Sequence, residues 1–259
     1  MAPVDDRPAT EREGRRARNR RERERSYLDA AFTLAREEGL RGLTMQRLAD
    51  AVDAAIGTVY TYFPSKSALV AELQRESIER LVASYHVTRD RSDDILTTWR
   101  DPAAESVARL SVFGRFWIAS VDTFPQEASF LHSLMTVTDQ VPVEEHHRVL
   151  PAALGLLEEA KACVVEAAER GAIAAGDPMA QVIGWAAALT GCLLTSNLAP
   201  LNPVAFDGRR LARLVQHDLL VGWGAPASAL ERAEDHVAFL EQVGPLAPRP
   251  APEREPAEL

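Results

Sequence analysis

One stretch of the sequence decides the fold: residues 44–66 are TMQRLADAVDAAIGTVYTYFPSK. Thr44 is a candidate N-cap for a short helix, because a threonine hydroxyl can accept a hydrogen bond from the first helical turn. The apolar residues that follow share one face of that helix at Met45, Leu48, Ala49 and Val52. Asp53 ends the helix, and a second helical segment over 56–63 follows and stops at Pro64. The stretch therefore predicts two short helices separated by a tight turn.

Helical patterns flank this pair on both sides. Upstream, a helix beginning near Tyr27 has the amphipathic spacing i, i+3, i+4, i+7, and Gly39 is placed to end it. Its apolar stripe consists of Leu28, Ala31, Phe32 and Ala35. Downstream, Ser65 can cap a longer helix that carries Leu69 and Leu73. These elements predict a three-helix bundle with a helix-turn-helix unit over residues 25–75.

The motif residues resemble the N-terminal domain of the TetR/AcrR family of transcriptional regulators. The resemblance covers residues 27–74 and rests on the runs 44–49 and 56–66 together with Leu69. Few other helix-turn-helix families combine a glycine, a small hydroxyl residue, an aliphatic residue, a tyrosine and then Phe-x-Ser-Lys. The resemblance implies a DNA-binding domain followed by a helical domain that binds a small molecule and forms a dimer.

The resemblance also implies that Ile56–Tyr62 is the recognition helix. The DNA-contact residues that it implies are Thr44, Arg47, Ile56, Gly57, Thr58, Tyr60, Thr61, Tyr62 and Lys66. Gly57 lets the backbone approach DNA closely, and the Thr58 side chain can contact a base edge. Tyr60 and Tyr62 can donate hydrogen bonds to phosphates. The alternatives are that Thr44 serves only as a cap and that either tyrosine belongs to the core.

The turn between the two short helices departs from the family pattern, which usually has glycine at position 53 and serine at position 55. Asp53 must adopt a left-handed conformation, cap the next helix or change the shape of the turn. Ala55 lacks a capping hydroxyl, which costs about 1 kcal/mol, and it also lacks a phosphate donor. We therefore expect Ala55→Ser to strengthen binding to DNA.

Charge is distributed unevenly along the chain. The formal net charge is −9, yet residues 7–25 contain nine arginines and four glutamates. Residues 1–75 carry +2 and the remainder carries −11. We expect residues 1–24 to be a disordered basic arm that contacts DNA, the alternative being a solubilising leader. The acidic total therefore does not exclude binding to nucleic acid.

The rest of the chain is predicted to be all-α, with a body over 76–244 and a proline-rich disordered tail over 245–259. Helices are expected over 107–121, 127–137, 149–170, 178–198, 211–221 and 230–243. The polar segment 86–103 is interpreted as a connection or a short helix. The body is thus expected to be the ligand-binding and dimerisation domain.

The segment from Pro178 to Phe206 contains no charged residue, which raises the question of a membrane span. Its most apolar part, 182–194, is shorter than the about 20 residues that a span needs, so a buried helix is favoured. Small residues at Gly184, Ala188, Gly191 and Thr195 would let another helix approach closely. We expect the 179–198 helix and the 211–223 helix to form a homodimer interface.

Two consecutive predicted helices of the body carry an aromatic cluster. The candidate ligand-binding residues are Phe113, Phe116, Trp117, Val121, Phe130, Leu134 and Met135. Such a stripe can equally be core, and the polar residues beside it could orient a ligand; these are Arg115, Asp122, His132 and Thr136. If the stripe is a pocket, its lining indicates a mostly apolar effector.

Other functional classes find little support in the sequence. The two cysteines, Cys163 and Cys192, resemble small core residues, and the adjacent His146 and His147 lack the spacing of metal ligands on one helix face. We expect no cofactor, no metal, no catalytic site and no membrane association, and a cytoplasmic location. The predicted function is a dimeric, ligand-responsive DNA-binding regulator, most simply a repressor released from a near-palindromic operator. The alternative is a small-molecule-binding or catalytic protein of the same fold that has lost operator binding.

Overall fold

The computed structural model describes residues 9–128 and 145–250, and all the regular structure in these two ranges is helical. The helices are α1 (Ala9–Gly42), α2 (Met45–Ala51), α3 (Ile56–Tyr62), α4 (Lys66–Leu96), α5 (Pro102–Thr123), α6 (His146–Glu169), α7 (Pro178–Leu194), α8 (Gly208–Gly222) and α9 (Ala227–Val243), with a 3-10 turn at Thr195–Leu198. This confirms the all-α prediction for the part of the chain that is described.

The chain divides into two compact units. Of the described residues, the first unit contains 9–74 and 145–149, and the second contains 75–128 and 150–250. Helix α4 contributes residues 66–74 to the first unit and 75–96 to the second.

The core of the first unit is formed by the apolar faces of its four helices. Leu28 and Ala31 of α1, Leu48 of α2, Val59 of α3 and Leu69 of α4 are all buried. Side chains just before α2 and α4 satisfy free backbone N–H groups at the start of these helices, as the sequence predicts. The Thr44 hydroxyl accepts from Arg47 N at 3.2 Å, and the Ser65 hydroxyl accepts from Ala68 N at 3.0 Å. The starts of α2 and α4 are therefore fixed by contacts that span three residues.

Residues 9–24 differ from the predicted disordered arm, because they are helical and continue into the rest of α1. Arginine, glutamate and alanine have high helix propensity, and the sequence places Arg18 and Glu22, and Arg20 and Glu24, four residues apart. At the other end of α1, Gly39 adopts φ 71° and interrupts the helical geometry where the sequence predicts a helix end. Residues 1–8 of the predicted arm lie outside the described residues.

Helix α5 lies at the centre of the second unit and contacts α7, α8 and α9. Leu110 and Phe116 of α5 are completely buried. A Cβ atom at Gly114 would lie 2.6 Å from Gln216 Cδ and 2.7 Å from Trp185 Cζ2, so the glycine allows α7 and α8 to approach closely. The Gln216 amide donates to Ser111 O at 3.0 Å, which fixes α8 against α5.

The predicted connection over 86–103 is largely wrong, because α4 continues to Leu96 and α5 begins at Pro102. Thr88 and Ser92 are polar but fully buried, so the inner face of α4 does not show the apolar periodicity that identifies a helix. Asp101, expected within the connection, instead caps α5 by accepting from Ala104 N at 3.1 Å.

The prediction of a disordered tail is wrong for residues 245–250, which pack against α4. Arg249 of this segment also donates a hydrogen bond to Thr123 O at the end of α5. Leu246 and Ala247 are buried. Carbonyl oxygens of this segment accept hydrogen bonds from α4: Thr88 Oγ1 donates to Leu246 O at 2.6 Å, Ser84 Oγ to Pro248 O at 2.7 Å, and Arg91 Nη2 to Pro245 O at 3.0 Å. Three side chains on one face of α4, spaced i, i+4 and i+7, therefore hold the non-helical segment 245–250 in place. Residues 251–259 lie outside the described residues.

The remaining helices follow the sequence predictions closely. Asp177 caps α7 by accepting from Met179 N at 3.0 Å and from Ala180 N at 3.2 Å. Gly171 adopts φ 67° just beyond the end of α6, as expected of a C′ glycine. The predicted helix over 127–137 lies outside the described residues except for its first two positions.

Candidate DNA-binding face and apolar cavity

Helix α3 turns one face to its own unit and leaves the opposite face exposed. Val59 is fully buried, whereas Ile56 and Tyr60 are 38% and 46% exposed. Gly57 and Thr61 share the exposed face, and Thr61 Oγ1 donates to Gly57 O at 3.0 Å. Large side chains left exposed on a short helix cost apolar burial, so this face has the composition of a contact surface.

Gly57 has no role in packing within the chain. A Cβ atom built at this position would meet nothing within 4 Å, and the backbone is helical without a positive φ. Glycine inside a helix costs about 0.5–1 kcal/mol relative to alanine. The described residues thus give glycine no packing advantage here, and the space beside Gly57 is open to a surface that approaches α3 from outside.

The ring of Tyr62 packs against other residues of the first unit, whereas a phosphate donor needs only an accessible hydroxyl group. Its ring meets the Tyr27 ring edge-on, with centroids 5.1 Å apart, and the Arg20 guanidinium lies 5.4 Å from the Tyr62 centroid. These contacts favour the core alternative for the ring of Tyr62. They also show that Arg20, from the predicted arm, lies beside α3.

The flanking DNA-contact candidates make contacts within the first unit. Thr44 caps α2, and Arg47 forms an ion pair with Glu38. Lys66 Nζ donates to Leu40 O at 2.7 Å near the end of α1. Arg47 and Lys66 thus tie α2 and α4 to α1, and a phosphate would have to compete for these two cations.

The unusual turn residues behave as the residue types allow. Asp53 adopts φ 49°, so it takes the left-handed conformation that glycine usually supplies. Ala55 is the N-cap of α3 and makes no side-chain capping bond. The alternative in which Asp53 caps α3 is therefore wrong.

The second unit contains an apolar cavity of about 180 Å³. Helices α5, α6 and α7 line it with Phe113, Trp117, Ala153, Leu156, Leu157, Ala160, Val182, Trp185, Ala186 and Leu189. No ionisable side chain is among these lining residues. Water in such a space would find few hydrogen-bond partners, so the cavity suits an apolar occupant.

The predicted pocket residues are divided between this cavity and the core. Phe113 and Trp117 line the cavity. Phe116 is fully buried and its ring centroid lies 5.3 Å from that of Tyr85, while Val121 is partly buried and does not line the cavity. Phe130, Leu134 and Met135 lie outside the described residues, as do the polar candidates His132 and Thr136.

The charged candidates beside the cluster pair with other helices. Arg115 forms ion pairs with Glu234 at 3.3 Å and Glu241 at 3.2 Å, and Asp122 pairs with Arg209. Neither side chain lines the cavity.

Two side chains that could be reactive, Tyr85 and Cys163, remain protonated at neutral pH. Tyr85 OH lies 3.7 Å from Cys163 Sγ, and the Tyr85 ring centroid is 4.8 Å from that of Phe113. Burial raises the pKa of Cys163 to about 11, although the hydrogen bond with Tyr85 opposes this shift, and burial also raises the pKa of Tyr85. A thiol with such a pKa is a poor nucleophile, so this pair favours a structural role.

Comparison with known proteins begins with the helix-turn-helix unit. The profile of the bacterial regulatory proteins of the tetR family matches residues 28–73. The HTH-type transcriptional repressor KstR of Mycobacterium tuberculosis is 46% identical over 57 residues, which are 22% of this chain and 26% of that protein. KstR of Rhodococcus jostii is 38% identical over 61 residues, covering 24% of this chain and 29% of the relative. The helix-turn-helix domain over residues 28–73 therefore matches the TetR family.

Solved structures extend the similarity of fold beyond this domain. The fatty acid degradation regulator FadR from Bacillus halodurans aligns over 76% of this chain and 94% of its own, with a TM-score of 0.53 and 19% identity. A TetR-family regulator from Agrobacterium tumefaciens aligns over 79% and 99%, with a TM-score of 0.51 and 16% identity. At such identities the match concerns the fold alone.

The sequence evidence for the TetR family is concentrated in the first unit. The chain matches about a quarter of the length of these curated relatives. The similarity of the second unit to solved structures is one of fold alone. The cavity and the exposed surfaces of the second unit must therefore be interpreted from their own residues.

Several site residues had not been predicted from the sequence. Arg20 lies beside Tyr62 because residues 9–24 are helical. Most of the cavity lining comes from α6 and α7, whose small and aliphatic residues have the same spacing as ordinary core positions. Only the contacts between distant helices distinguish these positions from the rest of the core.

Proposed function

We propose that this TetR-family chain is a cytoplasmic, dimeric transcriptional repressor that leaves a near-palindromic operator when a mostly apolar small molecule occupies its cavity. The observation that carries the proposal is the exposed face of α3, where Gly57 has no packing role and Ile56, Tyr60 and Thr61 face outward. A helix presented in this way fits the major groove, and a glycine allows the backbone to approach the phosphates.

Replacing Gly57 separates folding from DNA binding. Gly57→Ala should stabilise the fold by up to about 1 kcal/mol, because the added methyl group meets open space and favours the helix. The same methyl group should weaken binding to the DNA upstream of the protein's own gene, since it obstructs close approach. Fluorescence anisotropy with labelled DNA and thermal unfolding measure the two effects.

Gly155→Ala is the matched control, because Gly155 is also helical and exposed with nothing within 4 Å of its Cβ position. This variant should gain similar stability and keep wild-type DNA affinity. Equal DNA affinity for wild type, Gly57→Ala and Gly155→Ala would count against α3 as the recognition helix.

The basic segment before the helix-turn-helix should add affinity that does not depend on DNA sequence. Arg15, Arg16, Arg18 and Arg20 are exposed on α1, and Arg20 lies beside Tyr62. Each phosphate neutralised by a cation releases counterions, so binding weakens as salt rises. Removing residues 1–24 should flatten the salt dependence of binding, and an unchanged slope would make this segment a solubilising leader.

The proposed dimer is supported by the outer face of α7. Ala180, Ile183, Gly184, Ala187 and Gly191 are exposed at helical spacing, and Cβ atoms at either glycine would meet nothing within 4 Å. An uncharged face of small residues permits close helix packing by a second copy.

The segment Pro178–Leu198 is also long and apolar enough to cross a membrane by length and composition alone. In its most apolar stretch of 18 residues, 28% of the residues are buried within the protein.

The proposed effector is an uncharged, compact apolar molecule. The cavity offers aromatic rings and aliphatic side chains but no charged group to neutralise a carboxylate. Isothermal calorimetry with decanol and decanoate compares a neutral and a charged ligand of equal chain length, and decanol should bind at least about tenfold more tightly. Ala160→Leu should abolish binding by filling the cavity, and equal binding of decanoate would contradict this ligand class.

The alternative, a protein of the same fold without an operator, is favoured by the ion pair that engages Arg47 and the backbone contact that engages Lys66. In that case no upstream DNA would bind at low salt, while the ligand experiment would still succeed. The anisotropy and calorimetry measurements together separate the two functions.

A further inference from the structure

Helix α8 presents an exposed stripe that carries charges of both signs. The stripe consists of Arg210, Arg213, Leu214, His217, Asp218 and Val221, which recur at i, i+3, i+4, i+7, i+8 and i+11. Leu214 and Val221 are 48% and 51% exposed, so the stripe also leaves apolar surface uncovered. In the described part of the chain, the side chains of Arg210, Arg213 and Asp218 form no hydrogen bond or ion pair.

Beside the C-terminal end of this stripe lies an acidic groove of about 510 Å³ between α8 and α9. His217 and Val221 line it together with Glu231, Glu234 and Asp235. Glu234 forms an ion pair with Arg115, whereas Glu231 and Asp235 have no ion pair among the described residues. The stripe is thus basic at its N-terminal end and lies next to free carboxylates at its C-terminal end.

We propose that α8 pairs antiparallel with α8 of a second copy, so that Arg213 lies opposite Asp218 of the partner subunit and Arg210 enters the partner's acidic groove. The proposal rests on the dimer of the proposed function and adds its orientation, its register and the residues that specify both. It leaves Leu214 opposite His217 of the partner subunit at the centre of the contact.

Charge complementarity selects this arrangement over a parallel one. A parallel pair of α8 helices would place Arg213 beside Arg213 of the partner subunit and Asp218 beside Asp218 of the partner subunit. Like charges in close contact are destabilising, whereas an antiparallel pair forms each Arg213–Asp218 contact twice. A two-fold axis perpendicular to the helices produces this pairing.

Charge reversal tests the register directly. Arg213→Asp and Asp218→Arg, each alone, should weaken dimerisation of the full chain by about tenfold, because each creates two like-charge contacts. An equimolar mixture of the two variants should form heterodimers with near-wild-type affinity, since both contacts are then again between opposite charges. The double variant R213D/D218R should also recover its homodimer. Sedimentation velocity without DNA measures every species.

Matched controls are Arg100→Asp and Glu169→Arg, which reverse exposed charges away from α8 and should leave the dimer unchanged. Recovery in the mixture excludes misfolding as the reason for the loss in each single variant. Wild-type dimers that persist in both single variants would overturn the register while leaving the proposed dimer intact. A wild-type chain that stays monomeric at high concentration would overturn the dimer itself, and DNA binding would be assessed separately by anisotropy.

Discussion

Gly57 and Gly114 both lie inside helices, but a methyl group on each would meet opposite surroundings. At Gly57 nothing lies within 4 Å of a Cβ position, whereas at Gly114 the Cβ position is 2.6 Å from Gln216 and 2.7 Å from Trp185. The first glycine keeps a surface clear, and the second lets three helices meet. The same residue type therefore indicates an external contact in the first unit and close internal packing in the second.

The polar residues of the two units differ in how far along the chain their hydrogen-bond partners lie. In the first unit, Thr44 and Ser65 each bond a backbone N–H three positions along the chain. In the second, Thr88 bonds a carbonyl 158 positions away, and Ser92 bonds His236 across 144 positions. These two bonds of the first unit thus depend on local sequence. The two bonds of the second unit depend on contacts that only the folded chain brings together.

The largest effect should come from Gly114→Ala. The added methyl group overlaps Gln216 and Trp185, both buried, so overpacking should lower the free energy of unfolding by about 3 kcal/mol. Urea denaturation followed by circular dichroism measures the change. Gly57→Ala serves as the comparison and should show no loss. Equal stability of the two variants would remove the distinction drawn between the glycines.

A smaller loss is expected for Thr88→Val, which keeps the shape of the side chain but removes the donor to Leu246 O. The carbonyl would remain beside buried apolar groups without this partner, at a cost of about 2 kcal/mol. Thr61→Val in the first unit removes an exposed bond to Gly57 O and should cost far less. If urea denaturation gives both variants the same stability, long-range polar contacts do not dominate the second unit.

His236 should make the second unit sensitive to mild acid. Burial lowers its pKa, which the charge of Asp93 partly opposes, and Nε2 lies 2.8 Å from Ser92 Oγ. The unfolded chain therefore binds a proton at higher pH than the folded chain, and stability should fall as pH drops below about 6.5. The contribution of one group cannot exceed about 1.4 kcal/mol per pH unit.

Denaturation of wild type and His236→Gln at pH 7.5 and pH 5.5 checks this expectation. The variant should be less stable at pH 7.5 but should show a flatter dependence on pH. His147→Gln, at an exposed position of the first unit, should keep the wild-type slope. A slope that is unchanged in His236→Gln would assign the acid sensitivity to other groups.

The smallest effect is expected in the turn. Ala55→Ser adds a hydroxyl at the N-cap of α3, where no side chain caps the helix, and should stabilise the fold by about 0.5–1 kcal/mol. It should also strengthen DNA binding by supplying a phosphate donor. Ala54→Ser, one position earlier, should give neither gain. Weaker binding of Ala55→Ser in the anisotropy titration would show that the uncapped helix is suited to its DNA.

The sequence was sufficient wherever neighbouring residues determine the structure. Thr44 and Ser65 cap the helices they were expected to cap, because the bond each makes spans only three positions. Gly39 and Asp53 take positive φ values at the predicted breaks. The roles of individual residues toward DNA remain predictions.

The sequence was insufficient where burial involves polar groups or distant helices. Residues 86–96 look like a connection because Thr88 and Ser92 are polar, yet both are buried by partners near the other end of the chain. Residues 245–250 look like a flexible tail because prolines prevent regular structure, yet their carbonyls bind α4. In both cases the missing information is the tertiary partner.

The apolar cavity carries its own optical reporter. Trp117 and Trp185 line it. The Trp223 ring meets the Trp185 ring edge-on, with ring centroids 6.1 Å apart. Three of the chain's four tryptophans are therefore within or next to the space assigned to the effector, while Trp99 contacts His236 and Arg232. Indole emission depends on the polarity and packing around the ring. Occupancy of the cavity should thus change the intrinsic fluorescence of the unlabelled protein, which permits a rapid screen of chemical libraries.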